Sequence, residues 1–178
     1  MDARQELDRF FAGAERRAYR MAVVATGNRD EALDIVQEAM IKLVKRYGDR
    51  GEEEWAPLFY RIVQTTIRDW YRRQQVRKRL LGFVGFGGDG DEKGVEDFAD
   101  AALPAVDESV GHARAALRLD RALHRLPLRQ QQAFLLRAWE GQSVAETAHA
   151  MGCSEGSVKT HYSRAVHALR DILGDDIL

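Results

Sequence analysis

Apolar residues recur along this chain at steps of three and four, and few stretches alternate as strands do. Over residues 3–26, Leu7, Phe10, Phe11, Ala14, Ala18, Met21 and Val24 fall on one side of a helix, which Gly27 and Asn28 break. Asp30 opens a strongly periodic second helix, EALDIVQEAMIKLVKRY. Leu33, Val36, Met40, Leu43 and Tyr47 point inward there, while Asp34, Gln37, Glu38 and Lys45 lie opposite. Its acids come first and its bases last, which suits the helix dipole. After a turn at residues 48–51, Trp55 starts a third pattern through Leu58 or Phe59, Ile62, Thr66 and Trp70, widened by Val63, Ile67 and Tyr71. Pro57 fits its first turn. The outer side of this helix reads Arg61, Gln64, Thr65, Arg68, Arg72.

Periodicity dissolves over residues 81–111, which are rich in Gly and acid and form the best domain boundary in the chain. It resumes at Ala113 with Leu117, Leu119, Ala122, Leu123 and Leu126, and Pro127 ends that helix. Residues 129–139 form another, with Ala133, Leu135, Leu136 and Trp139 on its inner side. Ser143 with Glu146 is a capping-box start, Ala145, Ala148 and Met151 keep helical spacing, and Gly152 stands where a helix stops. Ser154 caps a longer helix that turns Val158, Tyr162, Ala165 and Leu169 to one side. Helix, tight glycine turn and longer helix make a helix-turn-helix. Lys159, Thr160, Ser163 and Arg164 face away from the apolar stripe, where they suit phosphates and base edges in a major groove. Two short helices joined in this way also occur as plain packing elements, so the flanking chain has to decide between the readings.

The predicted class is all-α. With 178 residues the chain is long enough for one helical domain or two small ones. Its formal net charge of -1 gives no broad basic character, so any nucleic-acid contact has to come from local patches. Such patches exist. Residues 61–80 carry seven bases against the single acid Asp69, and residues 89–108 carry eight acids against Lys93. Tyr60, Trp70 and Tyr71 lie among the bases, and aromatic and basic side chains interleaved in this way can stack on unpaired bases. Core packing is the default for Trp55 and Trp70.

Cys153 is the only cysteine, which excludes an internal disulfide, and the five histidines are scattered without i,i+4 pairing, so no metal site is assigned. No nucleophile, paired acid and base or phosphate loop can be assembled, so neither an enzyme nor a cofactor is expected. The charged start MDARQELDRFF lacks the apolar core of a signal peptide, and no apolar run reaches the ~18 residues of a membrane span. A cytoplasmic protein without membrane insertion is expected.

Taken together, DEALDIVQEAMIKLVKRY, FYRIVQTTIRDWYRR, the acidic tether and LPLRQQQAFLLRAWEGQSVAETAHAMGCSEGSVKTHYSRAVHALR resemble the bacterial RNA polymerase sigma factors, most closely the compact extracytoplasmic-function type. The resemblance covers residues 10–173. It implies two small helical domains, 1–80 and 112–178, joined by a flexible acidic linker at 81–111. Asp34, Gln37 and Glu38 match the face that docks on the clamp helices of core RNA polymerase. Arg61, Gln64, Thr65, Arg68, Arg72 and Arg73 match the segment that melts promoter DNA and reads the minus-ten element. The tether matches the linker that runs into the polymerase cleft, and Lys159, Thr160, Ser163 and Arg164 match contacts to the minus-thirty-five element. An inhibitory anti-sigma factor is a further implied partner.

There are two departures from the family pattern. Leu58 stands where the family usually has Trp, and Thr65 where it has Asn; Thr65 keeps a hydroxyl but loses the amide, which bears on minus-ten preference. A nearly neutral chain with few phosphate-facing bases per patch is expected to hold DNA weakly alone, because such affinity grows with the counterions released. Two modules fixed to one polymerase gain from effective concentration instead. Two other readings stay open: a stand-alone helix-turn-helix regulator, which leaves the Asp30 helix unexplained, and a sigma-like decoy that titrates an anti-sigma factor.

Overall fold

The computed structural model describes residues 3–83 and 110–174, so most of the acidic stretch expected at 81–111 lies outside the described residues. Among the described residues every regular element is a helix: α1 (Ala3–Thr26), α2 (Arg29–Tyr47), α3 (Glu52–Phe83), α4 (Val110–Arg125), α5 (Leu128–Phe134), a π-helical turn (Leu135–Trp139), α6 (Val144–Met151) and α7 (Glu155–Leu173).

The first three helices pack around one apolar core. Gly27 at φ 68° turns the chain between α1 and α2. Asn28 then caps α2, its side chain accepting from the backbone N–H of Asp30 and Glu31 at 2.9 and 3.0 Å. Ala18, Ala22, Ala32 and Ala39 are wholly buried, and their small side chains let α1 and α2 approach closely. Around them close Phe11, Ile35, Leu43, Trp55, Phe59, Val63 and Ile67. Phe59 is the hub, with its ring edge-on to Phe10 at 5.7 Å and to Phe11 at 5.8 Å. Two indole N–H groups tie α3 to α2: Trp55 donates to the Tyr47 carbonyl at 3.0 Å and Trp70 to the Glu31 carboxylate at 2.8 Å.

Several details differ from the sequence expectation. Leu33, expected inward, is 45% exposed, and the buried row of α2 is Ala32, Ile35, Val36, Ala39 and Leu43. The stripe follows the alanines at the helix crossing, and Leu33 stands about 100° from Ala32 around the axis. Helix α3 begins at Glu52, not Trp55, because three glutamates suit its positive end; Pro57 therefore sits inside the helix, past its first turn. Ala145 is exposed, and the buried face of α6 is Thr147, Ala148, Ala150 and Met151.

In the second half, Leu123, Leu126, Leu136, Met151, Val158, Ala165 and Leu169 make the core, and Phe134 stacks on Tyr162 at 6.1 Å and 16°. The helix expected at 129–139 is α-helical only to Phe134. It then widens so that the Glu140 N–H reaches the Leu135 carbonyl, five residues back, at 3.1 Å. A wider turn admits one extra residue and shifts the facing of Trp139 and Glu140. The two halves share apolar packing, since Met21 and Val24 of α1 and Tyr60 of α3 belong to the same buried cluster as Leu123, Leu126 and Leu136.

The hub position sets a stability prediction. Phe59→Ala should cost roughly 3–5 kcal/mol, seen as a lower denaturant midpoint for loss of helical circular dichroism, whereas Leu33→Ala should change stability by no more than about 0.5 kcal/mol.

Candidate nucleic-acid interface

Local capping signals build the helix-turn-helix. The Ser143 Oγ accepts from the Glu146 N–H at 3.1 Å, and the Glu146 carboxylate accepts from the Ser143 N–H at 2.7 Å, closing a reciprocal capping box on α6. Gly152 ends α6 in the left-handed conformation, φ 62° and ψ 47°, with its N–H and that of Cys153 returned to carbonyls of the last turn. Two residues on, the Ser154 Oγ accepts from the Ser157 N–H at 3.2 Å and starts α7. Val158, Ala165 and Leu169 anchor α7 in the core.

That anchoring fixes what α7 shows to solvent. Lys159, Thr160, Ser163 and Arg164 are all exposed, and the Thr160 hydroxyl donates to the Gly156 carbonyl at 3.0 Å. His161, beside them, is held below its ordinary pKa, first by partial burial and then by Arg129 and Arg164. This is the polar row that the sequence assigned to base and phosphate contact.

The second predicted row, on α3, is placed differently. Arg72 and Arg73 are open to solvent, as are Arg77, Lys78 and Arg79 beyond them. Arg61 is exposed but directs a guanidinium N–H to the His149 carbonyl at 3.3 Å, and Arg68 donates to the Met151 carbonyl at 3.5 Å. Burial, reinforced by the charge of Arg129, lowers the Arg68 pKa. Thr65 spends its hydroxyl on the Arg61 carbonyl at 2.8 Å. Gln64, read from the sequence as an outer residue, is 1% exposed. Its amide lies 3.4 Å from the Met21 sulfur, and its backbone carbonyl accepts from the Gln132 side chain at 3.3 Å. The reason is that α5 and α6 lie over this part of α3, which helical periodicity within α3 cannot reveal.

The third predicted group lies on α2. Asp34 and Gln37 are exposed, and Glu38 pairs with Lys42 at 2.6 Å one turn on. They line a shallow depression with Ile41, Lys45 and Arg46, flanked by the exposed apolar side chains of Leu33, Ile41 and Val44. A depression of mixed charge, Asp34 and Glu38 against Lys42, Lys45 and Arg46, bordered by uncovered apolar area, suits a protein partner.

Sequence reasoning missed the groups that join the halves. Tyr60 donates to the Glu140 carboxylate at 2.5 Å, and Arg17 reaches the same carboxylate at 3.4 Å. Arg20 pairs with Asp120 at 3.3 Å and lies 4.1 Å over the Trp139 ring. Burial, then Glu140, raises the Tyr60 pKa, so its hydroxyl keeps its proton. None of these pairs is closer than 80 residues in sequence, and no local signal marks them. Among the described residues no cluster of His, Cys, Asp and Glu could hold a metal, and no helix is long and apolar enough to cross a membrane.

Comparison with known proteins adds two family matches, Sigma-70 region 2 over residues 11–77 and Sigma-70 region 4 over residues 116–169. The RNA polymerase sigma-E factor of Streptomyces avermitilis is 30% identical over 144 residues, which is 80% of this chain and 71% of that protein. The ECF RNA polymerase sigma factor SigX of Bacillus subtilis is 29% identical over 157 residues, 85% of this chain and 75% of the relative. In fold, the chain is similar to the sigma factor RpoE solved in complex with the anti-sigma factor NepR from Bartonella quintana, with a TM-score of 0.69, 22% identity and 98% coverage of both chains.

The capping box yields a pH prediction. Hydrogen bonds from Ser143, side chain before backbone, hold the Glu146 carboxyl below its ordinary 4.5. A lowered folded pKa stabilises above the unfolded value and loses that contribution as pH falls through the folded one. Glu146→Gln should therefore melt at a lower temperature than wild type at pH 7, and the difference should shrink as pH drops below about 4.5, followed by thermal circular dichroism.

Proposed function

Because the chain belongs to the sigma-70 family, in its extracytoplasmic-function group, we propose that its three polar surfaces divide the work of promoter recognition. The protein binds core RNA polymerase and directs promoter-specific transcription initiation. It works where the polymerase works, in the cytoplasm, and acts by binding rather than by catalysis.

Within that function, Asp34, Gln37 and Glu38 on α2 form the polymerase-docking row. The acid and the uncovered apolar side chains around it give a partner both charge and area to bury. Arg61, Gln64, Thr65, Arg68, Arg72 and Arg73 form the minus-ten row, with guanidinium groups for the backbone and Trp70 and Tyr71 near enough to take part in stacking. Lys159, Thr160, Ser163 and Arg164 read the minus-thirty-five element from the major groove. The single observation that carries this reading is the α7 row: four polar side chains in solvent on the second helix of a capped helix-turn-helix, held there by the buried Val158, Ala165 and Leu169.

Residues 1–80 and 112–178 serve as the two modules, and the acidic 81–111 stretch as the tether between them in the polymerase. Neither row carries enough bases to hold a duplex alone, so the polymerase supplies the missing affinity and fixes the spacing between the two elements. An anti-sigma factor is the natural regulatory partner; the RpoE of similar fold was solved in complex with one.

The experiment is run-off transcription with purified core polymerase and a library of promoter fragments. Adding the chain should create discrete start sites that core enzyme alone does not give. Asp34→Arg with Glu38→Arg should abolish polymerase binding with helix content unchanged. Arg164→Ala should weaken upstream-element recognition in the holoenzyme by ~1–3 kcal/mol. An unchanged start-site profile on adding the wild-type chain rejects the reading, and equal use of the cognate promoter by Arg164→Ala rejects the assignment on α7.

A further inference from the structure

The joint between the two halves occupies part of the minus-ten row, Arg61, Gln64 and Arg68, and leaves Arg72 and Arg73 in solvent. Helix α6 ends with its carbonyls directed at α3: Arg61 reaches the His149 carbonyl at 3.3 Å, Arg68 the Met151 carbonyl at 3.5 Å, and Arg129 the same Met151 oxygen at 2.9 Å. The last carbonyls of a helix lack intrahelical partners and carry its negative end. They stand where an anionic strand would have to lie to use the same guanidinium groups. Gln64, between those arginines in sequence, is shut off at 1% exposure. By contrast the docking row on α2 and the reading row on α7 remain in solvent.

Beside the apolar cluster shared by the two halves, the polar ties of the joint converge on one carboxylate. The Glu140 side chain is 5% exposed, and its two side-chain partners, Tyr60 and Arg17, both belong to the other half of the chain. Its facing is set by the π-helical turn before it, in which the Glu140 N–H bonds five residues back. A carboxylate removed from water is tolerated only while it is paired, so removing its partners makes the closed joint costly, whereas separation of the halves returns Glu140 to water. Arg20, between Asp120 and the Trp139 ring, adds a second tie on the same side.

We propose that Glu140, held by Tyr60 and Arg17, is a latch that keeps the free chain closed over its own minus-ten row. The docking and upstream-reading faces stay available, and the latch must open before the row can engage a strand. The inference rests on the reading of α3 given above, because it supplies the role of the covered groups. It explains weak binding of DNA by the free chain through occupancy as well as through low charge. The apparent affinity of a covered site is its intrinsic affinity reduced by the fraction of open molecules.

The test uses the full chain without polymerase: small-angle X-ray scattering for its size, and fluorescence anisotropy with a labelled single-stranded oligodeoxynucleotide of mixed sequence. Arg17 is 63% exposed, so Arg17→Glu should fold normally while setting a second carboxylate against Glu140. It should enlarge the radius of gyration and tighten oligonucleotide binding by at least about fivefold, although a positive charge has been lost. Arg17→Glu combined with Glu140→Arg should return both readings towards wild type. Tyr60→Phe, which removes the hydroxyl donor and keeps the ring, should shift both in the same direction as Arg17→Glu. An unchanged radius in both single variants overturns the latch, and expansion without tighter binding overturns the claim that the joint covers the row. Run-off transcription remains a separate readout: its failure would remove the sigma assignment while leaving the scattering result intact.

Discussion

Everything in this structure that bears on function is arranged around the burial of Met21, Val24 and Tyr60 against Leu123, Leu126 and Leu136. Apolar side chains of one half complete the core of the other, so the halves cannot separate without exposing them. The polar groups follow from that placement. Once Tyr60 is out of water its hydroxyl needs an acceptor, and Glu140 supplies one; once Glu140 is enclosed it needs a cation, and Arg17 supplies it. The joint is therefore self-consistent, with charge inside it compensated at close range.

The same placement divides the three predicted surfaces into two kinds. Those on α2 and α7 look outward because the stripes that bury these helices lie on their opposite sides. Part of the row on α3 looks into the joint, because α3 packs against the α1–α2 pair on one side and takes α6 on another, with Gln132 of α5 bonded to the Gln64 carbonyl. Over that stretch, protein carbonyls at the end of α6 stand in for the anionic partner that a basic, amide-bearing helix face would otherwise take. Farther along, from Arg72 onward, α3 runs beyond the cover and its bases meet water.

How much of this could be read from the sequence depended on the range of the interaction involved. The helix-turn-helix was legible because its signals are local. Ser143 with Glu146, Gly152 and Ser154 each act within four residues, and each does in the structure what its residue type suggests. The inward faces of α1 and α3 were legible because large side chains mark them. On α2 the crossing is made by alanines, which carry little weight in a periodicity argument, and Leu33 was misplaced as a result. The π-helical turn has no residue signature of its own. Gln64 was read as an outer residue because its helix was considered alone, and Tyr60, Arg17 and Glu140 meet across distances in sequence that no spacing rule covers.

The central claim is that the α3 face proposed to read the minus-ten element is covered in part by the chain's own second half until polymerase takes the protein up. Amide hydrogen exchange on the full chain, free and bound to core polymerase, measures this most directly. The account predicts that residues 60–68 and 148–152 are protected from exchange in the free protein, and that both segments lose protection together on polymerase binding while α2 gains it. Equal protection of 60–68 and 148–152 in the two states, or rapid exchange of both in the free chain, would contradict it.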